Sequence, residues 1–514
     1  MSTAGAQAAL GGTIPAFLSA PVKKFSGGKE TVEEAALDGT LALLSACGRD
    51  LPEILLLGSA HPLEFGGVGG ADLAERTARA LRGRGIAIPV EFYAREGVYV
   101  RAASLSASAN GADLVHEAAL RVARGERRSV GVLALEQMRL KETPEITTIL
   151  RSLIHEDERR YGLTMPALGA LLQAYAEART PGLDRALRAI VIQNRRNASA
   201  NPRAHIRKAF SLDDYESDKN PLVSEPLRLW GVAPTSSGYA GIRVGCDRPA
   251  RRAVRIVGIG QGIDCVAVAA RARFLRSDAT RSAMDALART ARRAPEEIGC
   301  GVAYAEIHDA FPIIEYQGLL DTGLLAEATA VNEILAGAIA PEGRIPVNLS
   351  GGVMGGHPVG ATGVGQIVEL ALQGLGVAEM QRAWPAPHES IALNVGGPAT
   401  YNCVTLLRTS DDAGAEPEAL IDLPSRIDRR DFDLATSNGP LASPDGRVVS
   451  RTRLFYPPAG HASPLDVVFV ELPDRRVFAI PQEPSIALGE TVTVTRDEGL
   501  FHARRSIDGL RRIA

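Results

Sequence analysis

The stretch Asn348–Gly374, NLSGGVMGGHPVGATGVGQIVELALQG, places His357 just before a glycine-rich turn and a helical pattern that begins near Thr362. Glycine has no Cβ, so such a turn lets the backbone come close to a bound ligand. In an α/β protein, chemistry is usually carried by turns that follow strands. The stretch therefore predicts an α/β fold with a functional site that includes His357.

The whole-chain composition is that of a soluble globular protein. The 514 residues are 45% hydrophobic and 23% charged, with a formal net charge of -3. At roughly 100 to 200 residues per domain, this length predicts about two to four domains. The weak net charge gives no reason to expect a nucleic-acid partner. The first residues lack a basic export segment, and no apolar run of about 18 residues follows, so we expect neither export nor membrane insertion.

The five cysteines stand singly along the chain, at Cys47, Cys246, Cys265, Cys300 and Cys403. No CxxC pair and no ligand spacing occurs, which argues against a disulfide framework and against a structural metal site. A reducing cytoplasm suits this cysteine pattern best.

Two segments of the chain share one order of elements. From Thr31, an amphipathic helix leads through a turn to the buried strand Glu53–Leu57, and a helical run follows at Asp72–Leu81. Arg281–Phe311 repeats the helix, turn and apolar strand. The repetition predicts two similar α/β halves, with helices on both faces of the sheet.

The expected domains follow from changes in pattern along the chain. The first half spans residues 1–255 and contains a partly helical insertion at 139–228, and the second half spans 256–408. After a polar linker, short alternating runs separated by turn residues predict a small antiparallel β-barrel or sandwich at 425–514.

Two further polar clusters stand at helix starts and strand ends. Ser108-Ala109-Asn110-Gly111 opens a helix that continues to about Arg124. His308-Asp309-Ala310-Phe311 follows the predicted strand Ala303–Ile307. Together with His357, these clusters predict one site at the carboxyl ends of the strands.

These motifs resemble the thiolase superfamily over about the first 400 residues. Asn348–Gly363 is similar to the family signature NxSGGxxxxGHPxGATG, with three residues instead of four between SGG and GHP, and HDAF resembles the HDxF of the sterol-carrier-protein type. LNVGGPA, at Leu393–Ala399, looks like the terminal glycine-rich loop, and NPRAHIRKAF resembles the loop-domain stretch. The resemblance implies two βαβαβ-type halves in an α/β/α/β/α body with an inserted loop domain. The predicted β-barrel lies outside it.

The resemblance also locates the nucleophile of the family, a cysteine in a CxSG turn. A gap-free alignment matches Gly111, Gly125, Glu136 and Met138 and puts Ser108 at the cysteine position. An alternative register puts Ser106 there but loses these agreements. A serine at Ser108 is also a common helix N-cap, so its local role stays open.

The second family cysteine, which moves a proton, is absent from both of its usual places. Ala310 stands at the third position of HDxF, and Asn394 stands in the last glycine-rich loop. A thiol has a pKa of about 8.5, and a helix N-terminus lowers it further, whereas a serine alkoxide needs a strong base. The sequence therefore predicts thiolase or Claisen activity that is weak or lost.

The remaining groups suit the binding of a coenzyme A thioester, as substrate or ligand, with no covalent cofactor. His308 and His357 could donate to the thioester oxygen, and the backbone near Gly396 and Gly397 could add donors. Gly356 precedes His357 in the glycine-rich turn. Basic residues of the insertion, Arg196 and Arg207 above all, are candidates for the coenzyme A phosphates, with a solvated loop as the alternative. The run Gly258–Asp264 lacks the third glycine of a dinucleotide fingerprint, so we expect no nicotinamide site.

Three functions remain open from the sequence. The first is an acyl-CoA-binding, thiolase-like protein without standard activity. The second is an acyltransferase or thioester hydrolase that uses Ser108 with His357 as the base. The third is a non-catalytic partner of another acyl-CoA enzyme, docked through the C-terminal domain. The resemblance implies a homodimer through the sheet edge of the first half, unless the tail covers that edge and leaves a monomer.

Overall fold

The structure is a computed structural model that describes residues 16–93, 107–247, 249, 252–379, 384–411, 441–458, 460–461, 463–497 and 500–506. The first 15 residues, the alternative nucleophile Ser106 and most of the predicted linker lie outside the described residues.

The first half begins with a strand and a capped helix. Thr31 accepts from Glu34 N, and the Glu34 side chain accepts from Thr31 N, so a capping box fixes the helix start. The elements are β1 (Ala16–Ser26), α1 (Val32–Cys47), β2 (Ile54–Gly58), α2 (Pro62–Gly66), α3 (Gly70–Arg82), β3 (Val90–Phe92), α4 (Asn110–Ala123) and β4 (Ser129–Gln137).

A mostly helical insertion separates these elements from the strand that completes the first half. It contains α5 (Thr143–Arg151), α6 (Glu156–Arg159), α7 (Met165–Glu177), α8 (Leu183–Ala200), α9 (Leu212–Glu216), β5 (Leu222–Ser224) and β6 (Leu227–Arg228). The completing strand is β7 (Ser237–Gly245).

The second half and the C-terminal strands complete the described chain. The second half contains β8 (Ala253–Ile263), α10 (Asp278–Ala291), α11 (Pro295–Gly301), β9 (Val302–Ile307), α12 (Pro312–Asp321), α13 (Ala330–Leu335), α14 (Thr362–Leu375), β10 (His388–Gly396) and β11 (Tyr401–Ser410). The C-terminal strands are β12 (Asp445–Leu454), β13 (Leu465–Glu471), β14 (Arg476–Pro481), β15 (Thr491–Asp497) and β16 (Leu500–Arg505).

One nine-stranded sheet runs through both halves in the order β3-β2-β4-β7-β1-β8-β11-β10-β9. In each half the first strand pairs with the last strand, and the last strand pairs with the one before it. The first strands of the two halves, β1 and β8, also pair with each other and join the halves. The prediction of two similar α/β halves is therefore confirmed.

Helices α4 and α14 form the layer between the two halves. They pack on each other, and each contacts strands of both halves, while α1 and α10 cover the outer faces. This arrangement is the expected α/β/α/β/α layering. The close crossing requires glycine, because a Cβ on Gly111 would lie 2.7 Å from Val364 N.

The C-terminal strands form a closed barrel in the order β12-β13-β14-β16-β15, with β13 and β15 both paired to β12. All pairs are antiparallel except β14–β16, which is parallel. This closed, five-stranded arrangement, with its one parallel pair, is that of the OB-fold barrel. The predicted barrel is confirmed, and the sandwich alternative is not formed.

The barrel packs against the insertion and against the second half. Phe469 and Phe478 face each other across β13 and β14, and the Phe469 ring lies 4.7 Å from the ring of Phe274. The hydroxyl of Tyr161, in the insertion, accepts from Phe501 N at 2.9 Å. A continuous core therefore joins the barrel to the body. Among the described residues, every helix is too short or too polar to cross a membrane.

Candidate active site

Ser108 lies in a tight turn, Ala107–Ala109, at the start of α4. Its side chain is buried, with 5% exposed. Ala107 has a φ of 36°, in the left-handed region that a non-glycine residue seldom adopts. Such strain is often kept at functional turns, where it aims the next side chain.

His357 faces Ser108, with Nε2 3.4 Å from the Ser108 hydroxyl. Its Nδ1 lies 2.9 Å from the Thr362 hydroxyl, and that hydroxyl donates its single proton to Pro358 O at 3.0 Å. Thr362 must therefore accept from Nδ1–H, which leaves Nε2 as a proton acceptor toward Ser108. Burial, aided by His308, holds the pKa of His357 well below its ordinary value, so the ring is a neutral base near pH 7.

His308 follows β9 and stands beside His357. The two rings meet edge to face, with centroids 5.5 Å apart. Burial lowers the pKa of His308 to about 4, against a hydrogen bond with Gln366 that raises it. The buried Nδ1 has no hydrogen-bond partner among the described residues. The site thus presents an unused imidazole nitrogen next to the base.

Asn394 reaches the same site from β10. Its Nδ2 donates to the Gln366 side-chain oxygen, and Gln366 Nε2 donates to Leu393 O at 3.3 Å. Gln366 therefore connects His308 with Asn394, a role that sequence analysis missed. Its position on the first turns of α14, directly after the signature, was the available clue.

Two buried carboxylates hold the glycine-rich turns. Glu136 accepts from the Ser59 hydroxyl at 2.7 Å, from Ala60 N at 2.8 Å and from Gly360 N at 3.1 Å. Asp309 accepts from the backbone of Val353 and Met354. Burial raises the pKa of each carboxyl to about 7, although these hydrogen bonds lower it. Both residues position the turn that carries His357.

The predicted backbone positions lie in two separate turns. Gly396 ends β10, and Gly397 follows with a φ of 57°. Gly356 precedes His357, and a Cβ there would come within 3.2 Å of His205 Cβ. His357 N in turn donates to Ser236, whose hydroxyl lies 2.8 Å from His205 Nδ1. His205 and Ser236 thus brace the histidine turn from the insertion side.

The basic residues of the insertion divide into two groups. Arg195 is buried and donates to Met354 O at 2.8 Å and Trp230 O at 3.0 Å. Arg203 is paired with Glu369 at 3.1 Å. Arg196 and Arg207 are exposed. Arg195 and Arg203 are therefore bonded to other groups within the protein. Phosphate binding by Arg196 and Arg207 stays a prediction.

One thiol lies near the site. Cys403 is buried on β11 directly opposite Asn394, so both side chains are on one face of the sheet. It belongs to the core cluster that contains Ala109 and Ala112, beside Ser108. Cys265 is half-buried after β8, and burial raises its pKa. Any assay of thiol chemistry must therefore control for Cys403.

Comparison with known proteins agrees with the signature. A family profile described as Thiolase C-terminal domain-like matches residues 260–409. The acetyl-CoA acetyltransferase of Methanothermobacter thermautotrophicus is 29% identical over 304 residues, which are 57% of this chain and 76% of that protein. The second half of the chain is therefore similar to the C-terminal domain of thiolases, and more than half of the chain is similar to an acetyl-CoA acetyltransferase.

Other similar proteins are of the sterol-carrier-protein type. Sterol carrier protein 2 of Gallus gallus is 27% identical over 199 residues, 37% of this chain and 35% of that protein. The crystal structure of a monomeric SCP2-thiolase like protein type 1 from Mycobacterium smegmatis has a TM-score of 0.68 at 15% identity. The match covers 96% of this chain and 99% of that one, so the fold is shared through the barrel.

Proposed function

We propose that this thiolase-superfamily protein binds acyl-CoA and that its carbon–carbon bond activity is weak or lost. The carrying observation is that Ser108, rather than a thiol, stands 3.4 Å from the base His357. Ala310 and Asn394 supply no titrating proton donor in the neighbouring positions. The scaffold keeps the groups that hold a thioester. It lacks the two cysteines that would accept the acyl group and transfer the proton.

The proposed ligand is a free coenzyme A thioester. Its carbonyl oxygen is an acceptor that the His308 imidazole can satisfy as donor, with the backbone near Gly397 as a second donor. The exposed guanidinium groups of Arg196 and Arg207 suit the coenzyme phosphates, since guanidinium pairs well with phosphate. No covalent cofactor is part of the proposal.

Turnover of a 3-ketoacyl-CoA with free coenzyme A tests the loss of activity. We expect a rate far below the order of 10 s⁻¹ that is typical of enzymes. A Cys403→Ser variant is the matched control, because it removes the buried thiol opposite Asn394. Turnover near 10 s⁻¹ that survives in Cys403→Ser would refute the proposal.

A second candidate is an acyltransferase or thioester hydrolase that uses Ser108. It is favoured by the His357 tautomer, because the bare Nε2 points at the serine hydroxyl as a general base would. Intact-protein mass spectrometry after exposure to acetyl-CoA separates the two candidates. An acyl adduct that disappears in Ser108→Ala would establish the enzyme, and an unmodified mass supports the binding protein.

A non-catalytic partner role is the third candidate, with the barrel as the docking domain. Co-purification of an acyl-CoA enzyme from the native source would support it.

The assembly of the chain itself is a separate proposal. Strand β3 is the edge strand of the first half, and a homodimer would pair there. Light scattering after size exclusion gives the mass, and a single-chain mass would replace the dimer by a monomer.

A further inference from the structure

Glu315 is a buried carboxyl that the function proposed above does not use. It lies on α12, with 0% of the residue exposed. Its Oε2 accepts from Asn194 Nδ2 at 2.5 Å and from Asn348 Nδ2 at 2.9 Å. Its other oxygen, Oε1, has no hydrogen-bond partner among the described residues. Glutamate is almost never fully buried unless it is paired, so the protonation state of Glu315 needs a physical explanation.

Asn348 connects Glu315 with the strand end that carries His308. The Asn348 Nδ2 also donates to Ile307 O at 2.9 Å, and its Oδ1 accepts from Ile307 N at 2.8 Å. The amide thus binds both backbone groups of the residue before His308. A change at Glu315 therefore reaches His308 through one side chain.

Asn194 connects Glu315 with the turn that leads to His357. Its Nδ2 donates to Asp309 Oδ2 at 2.9 Å as well as to Glu315. Asp309 also accepts from two backbone N–H groups of the turn Val353–Gly355. Glu315 is therefore linked to the supports of both site histidines through two asparagine side chains.

The hydrogen bonds assign the negative charge of this pair of carboxyls to Asp309. A buried carboxylate needs donors on both oxygens, and Asp309 has three N–H donors spread over its two oxygens. Glu315 has two donors, both at Oε2, so its ionisation would leave negative charge on the unpaired Oε1. Two carboxylates bonded to one amide nitrogen also repel each other if both are ionised. This geometry favours the neutral acid at Glu315.

The other charged groups that act on the pair agree with this assignment. Burial raises the pKa of Asp309 to about 7, while its hydrogen bonds and Arg195 of α8 lower it. Burial and the nearby Asp309 hold the pKa of Glu315 well above its ordinary value, and Glu306 of β9 also acts to raise it. No cation among the described residues forms an ion pair with Glu315 within 4.0 Å.

We propose that Glu315 is a positioning residue for both site histidines and that it acts as the neutral acid. Loss of its proton would place two negative charges beside the Asn194 amide and would push the supports of His308 and His357 apart. The site is then intact while Glu315 is protonated and is disturbed as the pH rises. This inference rests on the site of the proposed function, but its test does not require an acyl-CoA to bind.

The pH dependence of unfolding tests whether Glu315 is protonated. An acid whose pKa is raised by folding stabilises the folded protein less and less as the pH rises above its ordinary pKa of about 4.5. Glu315→Gln keeps the shape of the neutral acid and cannot ionise. Between about pH 5 and about pH 8, the folding equilibrium constant of the wild-type protein should fall more steeply than that of Glu315→Gln, by up to about tenfold per pH unit. Equal slopes in urea unfolding would overturn the proposal.

Asp309→Asn is the matched comparison on the charged member of the pair. Its amide replaces an oxygen that accepts N–H groups, so this variant should be less stable than the wild-type protein at every pH. Glu315→Gln should instead equal or exceed the wild-type stability near about pH 8. A Glu315→Gln chain that fails to fold, or that is as unstable as Asp309→Asn, would show that Glu315 is ionised and would contradict the proposal.

Nuclear magnetic resonance of isotope-labelled histidine rings tests the positioning role. Burial lowers the pKa of His308 to about 4 and holds that of His357 well below its ordinary value, so neither ring titrates above neutral pH. In the wild-type protein, we expect both ring signals to shift as the pH rises from about 7 to about 9, and to stay in place in Glu315→Gln. Wild-type signals that do not move would overturn the positioning role. A lack of acyl-CoA binding would refute the proposed function and leave these measurements unaffected.

Discussion

At the scale of single residues, the site depends on which atom occupies the position of Ser108. The surrounding parts are in place: a helix start, a neutral base at 3.4 Å, and a hydroxyl that fixes the base's tautomer. A thiol at a helix N-terminus ionises far more readily than a hydroxyl. The hydroxyl of Ser108, in a position where a thiol would ionise more readily, is therefore the reason that we expect little acyl transfer.

Ser108→Cys should gain covalent acylation by acetyl-CoA. The new thiol would face His357 Nε2, which can take its proton. Intact-protein mass spectrometry with peptide mapping, in a Cys403→Ser background, measures an acetyl adduct at position 108. Full thiolase turnover should stay low, because Ala310 and Asn394 still supply no proton donor. An adduct that forms equally fast after His357→Ala would contradict the assigned base.

Thr362→Val should slow that acylation. Valine removes the oxygen that accepts from His357 Nδ1–H, so the ring loses the contact that directs Nε2 at position 108. Compared in the Ser108→Cys background, we expect a loss on the order of tenfold or more in acylation rate. Thr322→Val, which removes a buried helical hydroxyl away from the site, is the matched control. Equal rates in both variants would show that the tautomer is set in another way.

At the scale of elements, α14 is joined to β1 and to the insertion by a buried charge cluster. Glu369 of α14 lies 2.9 Å from Lys23 of β1 and 3.1 Å from Arg203 of the insertion. Burial acts to raise the pKa of Glu369, but Lys23 and Arg203 together hold it down to about 2. The charged carboxylate thus links three elements around the site.

This cluster predicts a pH-dependent stability. The folded pKa of Glu369 is below its ordinary value, so its contribution is complete above about pH 4.5 and is lost as the pH falls toward 2. Glu369→Gln should therefore lower the free energy of unfolding at pH 7 by an amount on the order of 3 kcal/mol. Urea unfolding at pH 7 and at pH 4 measures the effect, which should shrink at the lower pH.

Glu379→Gln is the matched control for that prediction. Glu379 pairs with the same Arg203 at 2.7 Å, but 42% of its side chain is exposed, against 3% for Glu369. Exposed pairs contribute little, so its loss should be below about 1 kcal/mol. Equal effects from the two variants would mean that burial does not set the strength of the cluster.

At the scale of the whole molecule, the C-terminal barrel shares its core with the body. Phe469 on the barrel meets Phe274 of the second half and stacks on Phe478, and Tyr161 of the insertion bonds to the backbone of β16. The insertion is therefore held on one side by the sheet halves and on another by the barrel. Loss of this contact should loosen the insertion as well.

Phe469→Ala tests the shared core. The ring is fully buried, and its removal should cost about 3–5 kcal/mol of stability, as large-to-small core changes do. Urea unfolding measures the loss, and proteolysis should cut the insertion more readily. Leu488→Ala, an exposed barrel position, should change little. Normal protection of the insertion in a destabilised Phe469→Ala would show that the barrel unfolds independently.

The sequence predicted some elements and residues well and others poorly. Helix α1, the strand before His308 and the barrel follow from local periodicity and turn residues, and the strand predicted at Ala303–Ile307 is observed at Val302–Ile307. The convergence of Ser108, His308 and His357 followed from the rule that strand ends share one edge. Arg195 and Arg203 shared a basic stretch with Arg196, but only the structure showed that the first two are bonded internally.

What the sequence by itself determined is the fold and the chemical character of the site. Gly111 and Gly363 allow the helices to cross closely, and the turn before α4 carries the hydroxyl of Ser108. Tertiary structure alone decided that, among the described residues, His61 and His308 keep an unpaired nitrogen while His116 does not. The reason is physical: the partners of a buried polar atom come from distant segments, and only packing determines which of them reach it.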